Sequence, residues 1–377
     1  MDIIVVIPSC GEAGNIEKCL KSLNRCDFGV LKVELIIIVN DGFVPTRETK
    51  KSNLETIRII EKIQSCTKLN FKIDVKYITQ GIDGVGMARK LGMDLASERL
   101  SFNRDKIIVC LDADCTVSEN YFQAINQGFV QNSKMDAASI RFEHGLTSEA
   151  IVKYELHLRY FIDIQRHIHL PFAIQTVGSA MAVRADAYKK QGGMNRRQAG
   201  EDFYFLQKYI SIDKCFEIND TIVFPSERKS NRVPFGTGKA INDIEQNEGV
   251  MMSYNPNSFY VIENFLTQIF LKYPNIENIN VSQPSLMEYL EGENYSDKLQ
   301  EILRNSTDIQ SFTKRFFQWF NAFRLMKCLH YMEDKIPLED AVSQYMNDIY
   351  TKPWMDNRSA LQFFREKAYK NSNAVQP

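Results

Sequence analysis

The chain has 377 residues, 44% of them hydrophobic, and carries 46 Lys and Arg against 47 Asp and Glu for a formal net charge of −1. That length exceeds what one hydrophobic core usually supports, so two structural units are expected. The cancelling charge excludes the broad positive field of a nucleic-acid binder. Eight scattered cysteines (Cys10, Cys19, Cys26, Cys66, Cys110, Cys115, Cys215, Cys328) form no CxxC pair, which excludes a zinc module and fits a reducing cytoplasm.

The opening run IIVVIP is too short and wrongly flanked for a signal peptide, and no stretch reaches the roughly 18 apolar residues of a membrane span. From Ile3 to about Pro225, short β-branched runs alternate with helical spacing, which predicts βαβ units around a mixed, mainly parallel sheet flanked by helices. The strand candidates are IIVVI, LIIIV (35–39), IDVKYI (73–78), IIVCL (107–111) and AASIRF (137–142). Between them, Ile16, Cys19, Leu20 and Leu23 share a helical face, as do Ala88, Leu91 and Leu95.

Past PFGTGKA the strand signals fade, placing a catalytic domain at 1–232 and a helical C-terminal region at 233–377. There Phe259, Ile262, Leu266, Ile269 and Phe270 share a face, and Leu338, Val342, Tyr345 and Ile349 another. Phe312, Phe316, Trp319, Phe323 and Met326 also recur at helical spacing, with Phe317 and Phe320 widening the stripe. The reading preferred for it is a helix packed in a core, and the rival is an interfacial helix on a membrane surface. KNSNAVQP reads as a frayed tail.

In an open parallel sheet, ligands sit beyond the carboxyl ends of the strands. PSCGEAGN comes after the first strand with Pro8, Ser9 and Glu12, Asn40-Asp41-Gly42 after the second, and Asp112-Ala113-Asp114 after IIVCL. Two carboxylates one residue apart at a strand end can direct a divalent cation, Mn2+ or Mg2+, toward a diphosphate. Alternatively, each aspartate only caps a turn or helix. GIDGVGMARKLGMDLA sets glycines before a helix and Arg89 in its first turns, a setting for phosphate or base contacts. It is not a spaced GxGxxG, and GKS and GKT are absent, which counts against nicotinamide chemistry and ATP hydrolysis. In GGMNRRQAGEDFYFLQKY the pair Glu201-Asp202 opens a helical pattern with Phe205, Leu206 and Tyr209 inward. The pair serves either the helix dipole or the deprotonation of a hydroxyl nucleophile.

Together VVIPSCGEAGNIEKCLKSL, IIIVNDG, GVGMARKLGMDLA, LDADC and GGMNRRQAGEDFYF resemble, in order and spacing, the motifs of glycosyltransferase family 2 over about residues 3–232. The resemblance implies the GT-A fold and inverting transfer of a sugar from a UDP- or GDP-sugar to an acceptor hydroxyl. It implies that Pro8, Glu12 and Asp41 line the base and ribose pocket with Arg89 and Asp112 nearby, that Asp114 binds the metal, and that Asp202 is the catalytic base beside Glu201.

One departure is that no histidine comes after the Glu-Asp pair until His330, where many relatives complete the metal site. Asp114, the diphosphate and water alone would then hold the metal, or Arg228, Lys229 and Arg232 of SERKSNR would clamp the diphosphate. QxxRW is absent, which argues against a processive synthase. The acceptor is open among a saccharide, a lipid-linked sugar and a protein, at a cytoplasmic site that allows peripheral contact with the inner face of a membrane. The rival functions are a nucleotidyltransferase on a related sheet and a non-catalytic nucleotide-sugar-binding module. His157, His167 and His169 match no ligand spacing and read as structural or acceptor-facing.

Overall fold

The computed structural model describes residues 2–42, 44–79, 84–196, 200–228, 236–353 and 355–373. Contacts divide the chain into two compact units, one of Met1–Ile151, Ile174–Asp243 and Lys367–Pro377, the other of Val152–Ala173 and Ile244–Glu366. Residues 152–173, which lie inside the 1–232 stretch, therefore belong by contact to the second unit.

The first unit is built in the order β1 (Ile3–Ser9), α1 (Ile16–Asn24), β2 (Val33–Asn40), α2 (Arg47–Cys66), β3 (Lys72–Ile78), α3 (Gly84–Arg99), β4 (Ile107–Cys110), β5 (Thr116–Val117), α4 (Tyr121–Gln131) and β6 (Ala137–Phe142). The helix α5 (Glu149–His167) comes next in the chain but belongs from Val152 onward to the second unit, and the first unit resumes with β7 (Met181–Arg184), α6 (Ala185–Lys190), α7 (Glu201–Ile210) and β8 (Cys215–Phe224). The eight strands form one sheet in the order β3-β2-β1-β4-β7-β6-β8-β5. β1 lies parallel to β2 and β4, β2 to β3, and β6 to β8, whereas β7 runs antiparallel between β4 and β6. The fold is thus the mixed, mainly parallel α/β class expected. The strand candidates do not include β7, whose MAVR is too short to show a period of two.

Continuous apolar runs betray strands covered on both faces, and β1 and β4 are buried along their whole length. Ile16, Cys19, Leu20 and Leu23 of α1 are buried, as their spacing predicts. The buried face of α3 is instead Ala88, Gly92, Met93 and Ala96, and Leu91 and Leu95 are only half-buried. Close approach explains the shift, because a Cβ on Gly92 would lie 2.3 Å from Val6 Cγ1 of β1. The helix lies against the sheet through its smallest residues.

The remaining elements are α8 (Thr237–Gln246), β9 (Met252–Tyr254), α9 (Pro256–Lys272), α10 (Pro284–Gly292), α11 (Tyr295–Arg304), α12 (Ile309–Trp319), α13 (Ala322–Met332), β10 (Lys335–Pro337), α14 (Leu338–Tyr350) and α15 (Asn357–Asn373). β9 and β10 pair antiparallel within this otherwise helical region. Phe312, Phe316, Trp319 and Phe320 are buried, as the core reading of the stripe requires. The stripe is not one helix: Asn321 accepts from the amides of Phe323 and Arg324 and starts α13, leaving Phe323 and Met326 half-buried. Glu155, fully buried in this unit, takes ion pairs from Arg159 and Arg365, each at 2.7 Å. His157 Nδ1 lies 2.9 Å from Ser253 Oγ, and burial pushes its pKa down to about 4. α15 continues to Asn373 through the first residues of the expected tail; 374–377 lie outside the described residues. Among the described residues no helix is long and apolar enough to cross a membrane.

Candidate active site

Parallel register brings the carboxyl ends of β1 and β2 side by side, with Pro8 opposite Ile38 and Ser9 opposite Val39. Asn53 of α2, fully buried, ties together the turns beyond both strands. Its Nδ2 donates to Asn40 O at 2.7 Å and to Asp41 Oδ1 at 2.8 Å, and its Oδ1 accepts from Gly11 N at 2.7 Å. Tyr77, from β3, donates to the same Asp41 oxygen at 2.9 Å. Asp41 is buried, and the Ser9 hydroxyl at the end of the neighbouring strand is buried without a partner among the described residues. An unsatisfied buried hydroxyl costs about 1–3 kcal/mol, which a ligand at this strand end would relieve.

Arg89 of α3 links the strand-end acids to the Glu-Asp pair. Its side chain is 2% exposed, its Nη2 lies 2.6 Å from Asp112 Oδ1, and its Nη1 is ion-paired with Glu201 Oε1. Burial alone would lower the Arg89 pKa, but Asp112 and Glu201 outweigh it and raise the value above the usual guanidinium range. Glu201 is the first residue of α7, entered through Gly200 in the left-handed region at φ 71°. Burial pushes the Glu201 carboxyl upward, and Arg89 opposes the rise. Asp202 is also raised by burial, against the pull of Arg89 and of the Phe203 and Gly178 amides. Its Oδ1 accepts from Phe203 N at 2.8 Å, so the two acids of the pair have different partners. Gly178 lies against the guanidinium, where a Cβ would meet Arg89 Nη1 at 2.7 Å.

Arg228 forms the second ionic bridge. Its Nη2 pairs with Glu12 Oε1, and its Nε lies 3.0 Å from Asp114 Oδ2. Glu12 Oε2 accepts from Asn15 Nδ2 at 2.9 Å. Burial lowers the Arg228 pKa, and Asp114 and Glu12 more than reverse that. Lys229 and Arg232 lie outside the described residues. The carboxylate expected to bind a divalent cation thus already faces a guanidinium. Among the described residues no three His, Cys, Asp or Glu side chains gather as metal ligands. Hard oxygen donors suit Mn2+ or Mg2+, but these residues do not make a metal cage of their own.

Residues 4–191 match the family model described as Glycosyl transferase family 2. The chain carries a glycosyl transferase family 2 domain. It is a glycosyltransferase. Among solved structures, S. aureus TarS 1–349 in complex with UDP-GlcNAc is 12% identical, covering 100% of this chain and 93% of that one, with a TM-score of 0.45. The mannosyltransferase PcManGT from Pyrobaculum calidifontis, in complex with GDP-Man and Mn2+, is 14% identical over 100% of this chain and 88% of that one, with a TM-score of 0.43. No curated protein sequence matches the chain.

Within this glycosyltransferase, Glu12, Asp114 and Arg228 meet, as do Arg89, Asp112 and Glu201, while Asp41 accepts from Asn53 and Tyr77. Sequence reasoning missed Asn53, Tyr77 and Gly178. Asn53 had a signal: it heads the buried face of α2 with Thr56, Ile60 and Ile63, a polar residue where helical spacing calls for an apolar one. Gly178 had none, because its neighbour Arg89 is far away in sequence.

Proposed function

We propose that this glycosyltransferase is inverting and that it moves a sugar from a UDP- or GDP-sugar to an acceptor hydroxyl with Asp202 as the general base. The acceptor oxygen gives its proton to the Asp202 carboxylate and forms a bond to the anomeric carbon as the bond from that carbon to the diphosphate oxygen breaks. The electron pair leaves with the nucleoside diphosphate. Pro8, Ser9, Glu12 and Asp41 would line the nucleoside side, and Arg228, with Arg232 beyond the described residues, the diphosphate side. Arg89 pairs with both Asp112 and Glu201, which supports a donor bound near the proposed base. A divalent cation at Asp114 would compete with Arg228 for that carboxylate, with the diphosphate supplying ligands that the described residues do not.

The observation that carries this reading is the single buried guanidinium of Arg89 that ties Glu201, beside Asp202, to the Asp112-Ala113-Asp114 strand end. Asp202→Asn keeps the shape and removes the proton acceptor, so transfer should fall by about 100-fold or more with little change in donor affinity. Near-normal transfer by that variant would refute the assignment, and a larger loss in Glu201→Gln would move the base to Glu201.

A further inference from the structure

The hydrogen bonds of Asp41 are unevenly divided between its two oxygens. Oδ1 accepts from Asn53 Nδ2 at 2.8 Å and from Tyr77 OH at 2.9 Å, which fills both of its lone pairs. Oδ2 has no partner among the described residues. Asn53 cannot turn away, since its other amide hydrogen is on Asn40 O at 2.7 Å and its oxygen on Gly11 N at 2.7 Å. The carboxylate is therefore held in one orientation and offers one acceptor oxygen.

Nucleobases differ in what they ask of a carboxylate. Guanine presents two adjacent N–H groups, from its ring nitrogen and its exocyclic amine, and these match a carboxylate that accepts through both oxygens. Uracil presents one N–H between two carbonyl oxygens. A second bare carboxylate oxygen would repel one of those carbonyls, whereas an oxygen already engaged by two donors repels it less.

We propose that Asn53 and Tyr77 are positioning residues that set the base choice of the donor site: by filling Oδ1 of Asp41 they leave a single acceptor, which selects a uridine diphosphate donor over a guanosine diphosphate donor. The inference rests on the reading of Asp41 as part of the nucleoside pocket.

The test is calorimetric titration of the full chain with UDP and with GDP, both with and without Mn2+. UDP should bind about tenfold more tightly or better, the equivalent of one discriminating hydrogen bond. Tyr77→Phe frees one lone pair of Oδ1 and should narrow the UDP-to-GDP ratio, whereas a purely structural role would weaken both nucleotides alike. Thermal unfolding of the variant verifies that it is folded. GDP binding as tightly as UDP to the wild-type chain would overturn the base choice and leave the transferase reading standing. Binding of neither nucleotide under any condition would overturn the nucleotide-sugar reading and this inference with it. An unchanged ratio in folded Tyr77→Phe would refute the role of Oδ1 occupancy.

Discussion

Gly178→Ala is a one-methyl change that tests the centre of the site. The new Cβ would lie 2.7 Å from Arg89 Nη1 and 3.0 Å from Cζ and Nη2, whereas ordinary contact starts at 3.4 Å. The guanidinium must retreat by several tenths of an ångström, and it is held on two sides by Asp112 and Glu201. Arg89 is 2% exposed, so water cannot replace the bonds it loses. Overpacking of this kind costs about 1–3 kcal/mol, and for a unit of this size each kcal/mol lowers Tm by about 2–4 °C. Turnover should fall by about tenfold or more, because a displacement well under 1 Å in positioning groups is costly for a reaction that depends on orientation. Calorimetric unfolding and release of nucleoside diphosphate read the two effects. In an Arg89→Lys background, which lacks the clashing fork, the added methyl should cost much less. A Gly178→Ala protein with wild-type Tm and turnover, or an equal penalty in both backgrounds, would refute the reasoning.

Two further expectations concern protons and metal. Because burial raises the folded pKa of Asp202, this carboxyl is protonated at pH values where a free aspartate is already ionised, so, with Asp202 as the proposed base, the acid limb of the rate profile should lie above the ordinary aspartate range. By linkage, a carboxyl with a raised folded pKa favours the native state below its unfolded pKa and loses that contribution as pH rises through the folded value. Asp202→Asn should therefore melt higher than wild type at neutral pH, and the advantage should vanish in acid; an advantage independent of pH would contradict the assigned shift. Arg228→Gln should raise the affinity of the nucleotide-free protein for Mn2+, read by loss of the free-ion electron paramagnetic resonance signal, because the guanidinium 3.0 Å from Asp114 is then gone. Unchanged Mn2+ binding would show that Arg228 and the ion do not compete for that carboxylate.

The features legible in the sequence are the local ones. β1 and β4 are covered on both faces and announce themselves as apolar runs, and their polar ends, at Ser9 and just past Cys110, mark the ligand edge without any knowledge of pairing. The acids of Asp112-Ala113-Asp114 and Glu201-Asp202 are visible for the same reason. Their partners are not, since Arg228 reaches Glu12 across 216 positions and Arg89 reaches Glu201 across 112. On α3, helical spacing alone favours Leu91 and Leu95, whereas the sheet accepts only the face that carries Gly92. The aromatic stripe looks continuous because Asn321 at 3.6-residue spacing resembles one more polar position, and only its cap bonds show the break.

The pairing of charges also constrains how a donor enters. Arg228 pairs with Glu12 and Asp114, and Arg89 with Asp112 and Glu201, so a donor would meet guanidinium groups already engaged by carboxylates. A nucleoside diphosphate adds negative charge, and like charges 4 Å apart repel by about 4 kcal/mol at an effective dielectric of 20. Some cation must turn toward the phosphates. Arg89, with 2% of its side chain exposed and both terminal nitrogens engaged, cannot do so without abandoning a buried acid. Arg228 is 31% exposed and, among the described residues, meets carboxylates through its Nη2 and Nε, so it can swing or offer its remaining nitrogen at lower cost. Any turn of Arg228 toward the donor removes positive charge from Asp114 and makes that carboxylate a better cation ligand. Diphosphate and metal would then favour each other's binding through one side chain, a coupling that must be equal in both directions.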